Sequence, residues 1–225
     1  GTFVDSADGK TIAVENPATE EVFASVPACT EADVDRAVGA ARRAFDEGPW
    51  PRMTQKDRIR ILMDLVDAMK RRESELAALE TAQSGMPLRK STLMDIPIGI
   101  EMFRSMVEQS DFSRYEPLPW TDLPRVSWNF VQREPVGVCG AIAAWNYPWL
   151  FTMWKSAPAV AMGNTLVFKP ASYTPLSALE FARIVSESEV PPGVVNVVTG
   201  TGSGVGTALC RHPGVDKISF TGSTE

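Results

Sequence analysis

From Val136 onward the chain alternates strand-like and helix-like segments without interruption, and no other feature constrains its fold as tightly. Residues 136–145 form a near-continuous apolar run, the pattern of a strand buried on both faces. Pro148 opens an apolar helix through about Met162. Residues 165–169 read as the second strand. Thr174-Pro175, an N-cap with proline at the first helical position, starts a helix through Ser188. Residues 194–199 are the third strand, and a short helix after Gly202 ends at Arg211-His212-Pro213. Residues 217–220 are the fourth strand. Such a series implies an α/β architecture, a parallel sheet with helices on both faces.

Upstream the pattern is helical. Thr30 is a candidate N-cap, with Asp33 three residues on as an imperfect capping box. Val34, Ala37, Val38, Ala41, Ala44 and Phe45 then recur at helical spacing up to Gly48-Pro49. Thr54 opens a second helix with Ile59, Leu62, Met63, Val66 and Met69 along one side. A third runs from about residue 73 to 83 and stops at Ser84-Gly85-Met86-Pro87. A fourth spans about 98–109 with Met102, Phe103 and Met106 inward. Methionine fills gaps readily, so this stripe reads as core.

Residues 116–124 are too rich in proline to be helical throughout. Val126, Trp128 and Phe130 alternate with Ser127 and Asn129, the period of a strand with one apolar face. A two-stranded ribbon alone is marginal in water, and an exposed Trp/Phe face invites association. Two readings stand at this point: an edge strand of the main sheet, or a ribbon packed on another subunit.

Composition removes several function classes. The 225 residues suit one large domain, or one and a part. With 44% apolar and 22% charged residues the chain is globular rather than disordered. A net charge of −6 with scattered lysines and arginines gives no support to nucleic-acid binding. No apolar stretch reaches the roughly 20 residues of a membrane span, and GTFVDSADGK carries no signal pattern. Cys29, Cys139 and Cys210 are too few and too far apart for a disulfide framework or a zinc site. Free thiols point to a reducing compartment, and the expected location is the cytoplasm.

Ligands of open parallel sheets bind beyond the carboxyl ends of the strands. The four ends here carry Trp145-Asn146, Lys169-Pro170-Ala171-Ser172, the run Gly200-Thr201-Gly202-Ser203-Gly204-Val205-Gly206, and Thr221-Gly222-Ser223-Thr224. Glycines admit a phosphate to the backbone, helix N-termini offer free N–H groups, and lysine supplies a cation. The set favours a nucleotide. Neither Gly-x-Gly-x-x-Gly nor a loop ending Gly-Lys-Ser/Thr fits, so a merely flexible βα loop also satisfies the pattern.

Three segments carry a further resemblance: EPVGVCGAIAAWNYPWLFTMWKSAPAVAMGNTLVFKPASYTPLSAL, PPGVVNVVTGTGSGVGTAL and HPGVDKISFTGSTE. With VENPATEEVFASVPACTEADVDRAVGAARRAF they resemble the aldehyde dehydrogenase superfamily over essentially the whole chain. The resemblance implies a Rossmann-like cofactor-binding sheet that binds NAD or NADP without the usual fingerprint, and a small β-hairpin used for oligomerisation. On that basis residues 1–112 are the N-terminal strand and helical part of the cofactor-binding domain. Residues 113–134 are the hairpin, joining a homodimer or homotetramer, and 135–225 are the incomplete Rossmann-like part.

The resemblance also assigns roles. Asn146 matches the Asn whose amide helps form the oxyanion hole. Ile142, Ala144 and Trp145 match positions lining the cofactor; Ala144 stands where Pro is usual. Lys169 matches the lysine that contacts the adenosine ribose, and Gly202 and Gly206 match adenine-side glycines. Phe220, Thr221, Gly222 and Ser223 match the pyrophosphate-contacting turn and its approach. Ser172 stands where many NAD-preferring members have Glu. A carboxylate there would repel a 2′-phosphate by about 1–4 kcal/mol at ~4 Å, roughly one to three decades of affinity. Serine removes that repulsion and can donate, so tolerance of NADP is expected.

The implied reaction oxidises an aldehyde to a carboxylic acid through a thiohemiacetal and thioester on a Cys. In the family both that Cys and its general-base Glu lie C-terminal to the GSTE segment, so the catalytic domain is expected outside these residues and this portion alone is expected to be inactive. Cys29, Cys139 and Cys210 read as structural, His212 as a helix C-cap, and Glu225 is not assigned as the base. Trp149, Met153 and Trp154 fit either a substrate entrance or core packing. A non-catalytic nucleotide-binding or assembly module on the same fold is the alternative reading.

Overall fold

A computed structural model describes residues 1–111, 115–122 and 124–224. It opens with an antiparallel pair, β1 (Thr11–Asn16) and β2 (Glu21–Pro27). Four α-helical elements follow, α1 (Glu31–Asp46), α2 (Gln55–Lys70), α3 (Glu73–Ser84) and the single turn α4 (Leu88–Lys90), with a 3-10 turn, Trp50–Arg52, between α1 and α2. A π-helical turn, Ser91–Asp95, leads into α5 (Ile96–Glu108). A second antiparallel pair, β3 (Tyr115–Thr121) and β4 (Ser127–Gln132), stands before the main alternation. That alternation is β5 (Val138–Ile142), α6 (Pro148–Ala161), β6 (Thr165–Lys169), α7 (Leu176–Ser186) and β7 (Val195–Val197). It closes with a π-helical turn Gly202–Gly206, α8 (Thr207–Arg211) and β8 (Lys217–Phe220).

β5 to β8 form one parallel sheet in the order β7-β6-β5-β8. Every residue of β5 and β6 is buried, as their apolar runs require of central strands. Two apolar clusters lie on its two faces. One gathers Val34, Val38 and Ala41 of α1 with Leu209 of α8 over Val138, Ile142 and Val167. The other joins α2, α3, α5, α6 and α7, with Trp50, Phe103, Trp149 and Phe181 among its largest fully buried side chains. The helix starts follow local chemistry. The Thr30 N–H donates to the Asp33 carboxylate (2.7 Å), and the Thr54 hydroxyl accepts from the Asp57 N–H (3.2 Å). Gly85 ends α3 in the left-handed region at φ 71°.

Several boundaries move. The first sheet strand is shorter than 136–145: it begins after Gly137, whose φ is 134°, and past Ala143, which is buried and still bonded to the Lys169 carbonyl, the chain runs into the loop before α6. Thr174 does not cap α7: the helix begins at Leu176, and the Leu176 N–H is received by the Gln83 side-chain oxygen (2.7 Å), a partner distant in sequence. The Thr174 hydroxyl instead faces the Trp145 carbonyl (3.5 Å). His212 does occupy the C-cap of α8, where its Nδ1 accepts from the Gly214 N–H (2.9 Å). The β3–β4 ribbon is separate from the main sheet, which removes the edge-strand reading. Trp120, Trp128 and Phe130 are exposed, Trp128 at 85%. The expected boundary at 112–113, and Glu225, lie outside the described residues. No described helix is long and apolar enough to cross a membrane.

Candidate functional site

The exits of the strands are joined edge to edge. The Ala143 N–H donates to the Lys169 carbonyl (3.1 Å), the Thr221 N–H to the Ile142 carbonyl (3.0 Å), and the Val198 N–H to the Phe168 carbonyl (2.9 Å). The four loops expected to carry chemistry therefore leave from one edge of the sheet.

Lys169 is the most unusual residue there. It is 3% exposed, and its ammonium donates to the Pro170 carbonyl (2.8 Å). Burial lowers its pKa to about 8. Among the described ion pairs it has no carboxylate partner. An ammonium held out of water with donors to spare suits an incoming acceptor such as a hydroxyl or phosphate oxygen.

Gly206 lies against it. A Cβ on Gly206 would stand 3.7 Å from Lys169 Cδ and 3.8 Å from Ile142 Cδ1, so three of the expected residues meet. Gly202 faces open space. The turn between them starts with the Thr201 hydroxyl accepting the Gly204 N–H (3.1 Å). Gly200 before it has φ 145°, and a Cβ there would fall 2.5 Å from Val205 Cγ2. Ser172 is half-buried and its hydroxyl donates to the Gly200 carbonyl (2.8 Å). That oxygen thus ties the β6 loop to the glycine turn, and its proton is already committed. In the sequence Gly200 and Thr201 stand out only as part of a glycine run; their separate jobs, a left-handed backbone and a cap, do not.

Trp145 and Asn146 are exposed, Trp145 at 60%. Tyr147 lies beneath the Lys90 ammonium, 4.6 Å from the ring centroid, and Lys90 is bound to Asp95 (2.6 Å). Ala144 is half-buried. Phe220 covers Gly222, where a Cβ would come within 2.6 Å of the ring; Ser223 follows in the open. No described hydrogen bond or ring contact joins this last group to Lys169 or Ser172.

A cavity of about 1100 Å³ lies elsewhere, against β5, β8 and α6. Of the expected residues only Phe220 and Thr221 reach it. Lys155 on its wall donates to Ser219 Oγ (3.0 Å), and burial lowers its pKa. Trp154 lines it, whereas Trp149 and Met153 are fully buried and belong to the core. Burial also raises the Cys139 thiol pKa, the opposite of what a nucleophile needs. No group of three or more His, Cys, Asp or Glu suited to a metal occurs among the described residues.

Residues 3–225 match the profile described as "Aldehyde dehydrogenase family". Over 225 residues the chain is 43% identical to aldehyde dehydrogenase family 2 member B4, mitochondrial, of Arabidopsis thaliana, covering 41% of that protein. It is 42% identical to the mitochondrial benzaldehyde dehydrogenase of Antirrhinum majus, covering 42% of it. The NAD+ complex of an aldehyde dehydrogenase from Bacillus cereus superposes with a TM-score of 0.95 at 40% identity, over 100% of this chain and 45% of that one. The chain thus spans less than half the length of these relatives.

Proposed function

The chain belongs to the aldehyde dehydrogenase family, and from that premise we propose that it supplies the cofactor platform and the oxyanion donor of an NAD(P)-dependent aldehyde dehydrogenase. The observation that carries this reading is Lys169, a buried ammonium at a strand end beside Gly206, with no carboxylate partner among the described ion pairs. The Bacillus cereus neighbour that shares this fold is an NAD+ complex.

The bound dinucleotide would accept a hydride from the substrate. The chain's own residues do the rest of the work assigned here. Lys169 would donate to oxygens of the adenosine side, beside the Gly202–Gly206 turn whose glycines keep that approach open. Ile142, Ala144, Trp145, Phe220 and Thr221 would border the dinucleotide, and Gly222 and Ser223 would start its pyrophosphate-contacting turn. The Asn146 amide donates a hydrogen bond to the oxygen of the aldehyde as negative charge develops on it. The nucleophilic thiol is none of Cys29, Cys139 and Cys210. The exposed aromatic face of the β3–β4 ribbon supports its use as a contact between copies of the chain, dimer or tetramer. The division into 1–112, 113–134 and 135–225 follows from the same reading, and three free thiols support a reducing compartment such as the cytoplasm.

The test is Asn146→Ala in the natural protein, assayed for aldehyde-dependent NAD(P) reduction. Turnover should fall about 100- to 1000-fold, the usual loss for one oxyanion donor, while cofactor affinity holds. Near-normal turnover would overturn the assignment.

A further inference from the structure

Two buried polar side chains on α3 remain unused by the function above. Glu80 is 1% exposed and Gln83 2%. Their carbonyl-type oxygens go to two different helix starts. Glu80 Oε1 accepts from the Trp149 N–H at the beginning of α6 (3.0 Å). Gln83 Oε1 accepts from the Leu176 N–H at the beginning of α7 (2.7 Å). The Gln83 amide links the two, donating to Glu80 Oε2 (2.9 Å) and to Ser177 Oγ (2.7 Å).

The connectivity gives these bonds a wider meaning. α6 continues directly from the loop holding Trp145 and Asn146, and α7 from the loop holding Ser172. One turn of α3 therefore grips both helices at the ends nearest those loops. A second tie runs parallel: Lys90, bound to Asp95, sits over the Tyr147 ring next to Asn146. A carboxylate buried this deeply, with Asp95 nearby raising its pKa further beyond the effect of burial, is a poor choice for stability alone. An apolar residue there would avoid burying a charge but would leave the Trp149 N–H without its acceptor, so what the carboxylate supplies is the tie to the start of α6.

We propose that Glu80 and Gln83 are positioning residues that fix the Asn146 loop relative to the Ser172 loop, and so place the oxyanion donor against the bound cofactor. This rests on the oxyanion role of Asn146 given above. The polarity of the network makes it testable. Glu80 offers only acceptors; Gln83 offers one acceptor and two donors. In Glu80→Gln, whichever way the two amides turn, one N–H is left facing another. The swap Glu80→Gln with Gln83→Glu restores every pairing, provided the Ser177 hydroxyl, which accepts from Gln83, turns to donate to the carboxylate at position 83. The amide then at position 80 would accept from Trp149 and donate to the carboxylate at position 83, whose other oxygen would accept from Leu176.

The experiment compares Glu80→Gln, the swap, Gln83→Met and Asn146→Ala in the natural protein, well below their melting temperatures and per folded site. Measured are kcat at saturating substrates and the NAD+ dissociation constant by titration. Glu80→Gln should lower kcat about ten- to a hundredfold, the scale of a ~1 Å misplacement, and leave cofactor affinity nearly unchanged. The swap should recover kcat to within about threefold, because residues in direct contact compensate one another. A folded Glu80→Gln enzyme with parental kcat, or a folded swap that stays slow, overturns the proposal. If Glu80→Gln does not fold, Gln83→Met decides: a kcat loss without an affinity loss supports positioning, and unchanged kcat overturns it. Asn146→Ala separates the two levels, because a fully active Asn146→Ala overturns the oxyanion role and the positioning together.

Discussion

Replacing Lys169 by methionine should make the protein more stable and its cofactor binding weaker. Methionine keeps the length and apolar stem of the side chain but has no charge. In the folded chain burial lowers the lysine pKa from 10.5 to about 8. At about 1.4 kcal/mol per unit, holding the ammonium charged at neutral pH costs the fold about 3 kcal/mol. That balance holds with the hydrogen bond to the Pro170 carbonyl in place. Lys169→Met should therefore gain up to about 3 kcal/mol, read as a higher urea midpoint at unchanged slope. Removing a charge-assisted hydrogen bond to the cofactor should weaken binding about ten- to 150-fold, from about 1.5–3 kcal/mol.

The pH dependence separates the two effects again. Between about pH 8 and the unfolded pKa the unfolded chain binds this proton and the folded chain releases it, so stability rises with pH across that window. Cofactor affinity should fall over the same window, because the positive charge behind the hydrogen bond is lost as pH passes about 8. Lys169→Met should show neither change. The assays are urea unfolding and NAD+ titration at a series of pH values. A variant that is less stable and binds NAD+ normally would show that Lys169 is a packing residue satisfied by Pro170, and would refute the reasoning.

Two further outcomes follow from the same loops. NADP and NAD should bind with dissociation constants within about a hundredfold of each other, because no carboxylate stands at Ser172; titration with both cofactors checks this, and a larger preference for NAD refutes it. The structure corrects one part of that expectation: the Ser172 proton is held by the Gly200 carbonyl, so the tolerance rests on absent repulsion rather than on donation. Gly200→Ala should destabilise the protein by about 1–3 kcal/mol and weaken cofactor binding, since alanine at φ 145° is strained and its Cβ would strike Val205. Unfolding curves and NAD+ titration that match the parent would count against it.

The sheet is legible in the sequence because its signals are local. The apolar run of β6 and the short strand β8 fall at the residues expected of them, and Thr30, Thr54 and Gly85 mark helix ends by their own side chains or backbone freedom. Some departures depend on partners distant in sequence or on a local period the sequence does not carry. The start of α7 is not where Thr174 puts it because its N–H group is received by Gln83, a residue of another helix, and no local cap is needed. The π-helical turn Ser91–Asp95 likewise has no sequence period of its own, and its carboxylate Asp95 is buried against Lys90. Of the site, Lys169 and the glycine run stand out by residue type. Glu80 and Gln83 do not, since polar residues in the stretch Leu-Glu-Thr-Ala-Gln-Ser read as the solvated side of a helix.

Burial of charge is what distinguishes this edge of the molecule. Lys169 and Glu80 are both almost wholly enclosed, and they carry opposite signs. Were stability the only demand, pairing them would relieve both, yet among the described ion pairs neither appears. Glu80 takes its donors from inside the fold: the Trp149 N–H of the helix after β5, the amide of its neighbour Gln83, and the Ser177 side chain of the helix after β6. Lys169 is left with spare donors at the strand end. The asymmetry has a physical sense. A charge whose partners are all internal makes a rigid anchor, and one whose partners are incomplete makes a receptor for an external acceptor. Gly200, strained for any residue but glycine, lies between the Ser172 loop and the open turn that Lys169 faces. Three locally unfavourable choices meet along the same set of loops, where consistency with fold stability would have required none.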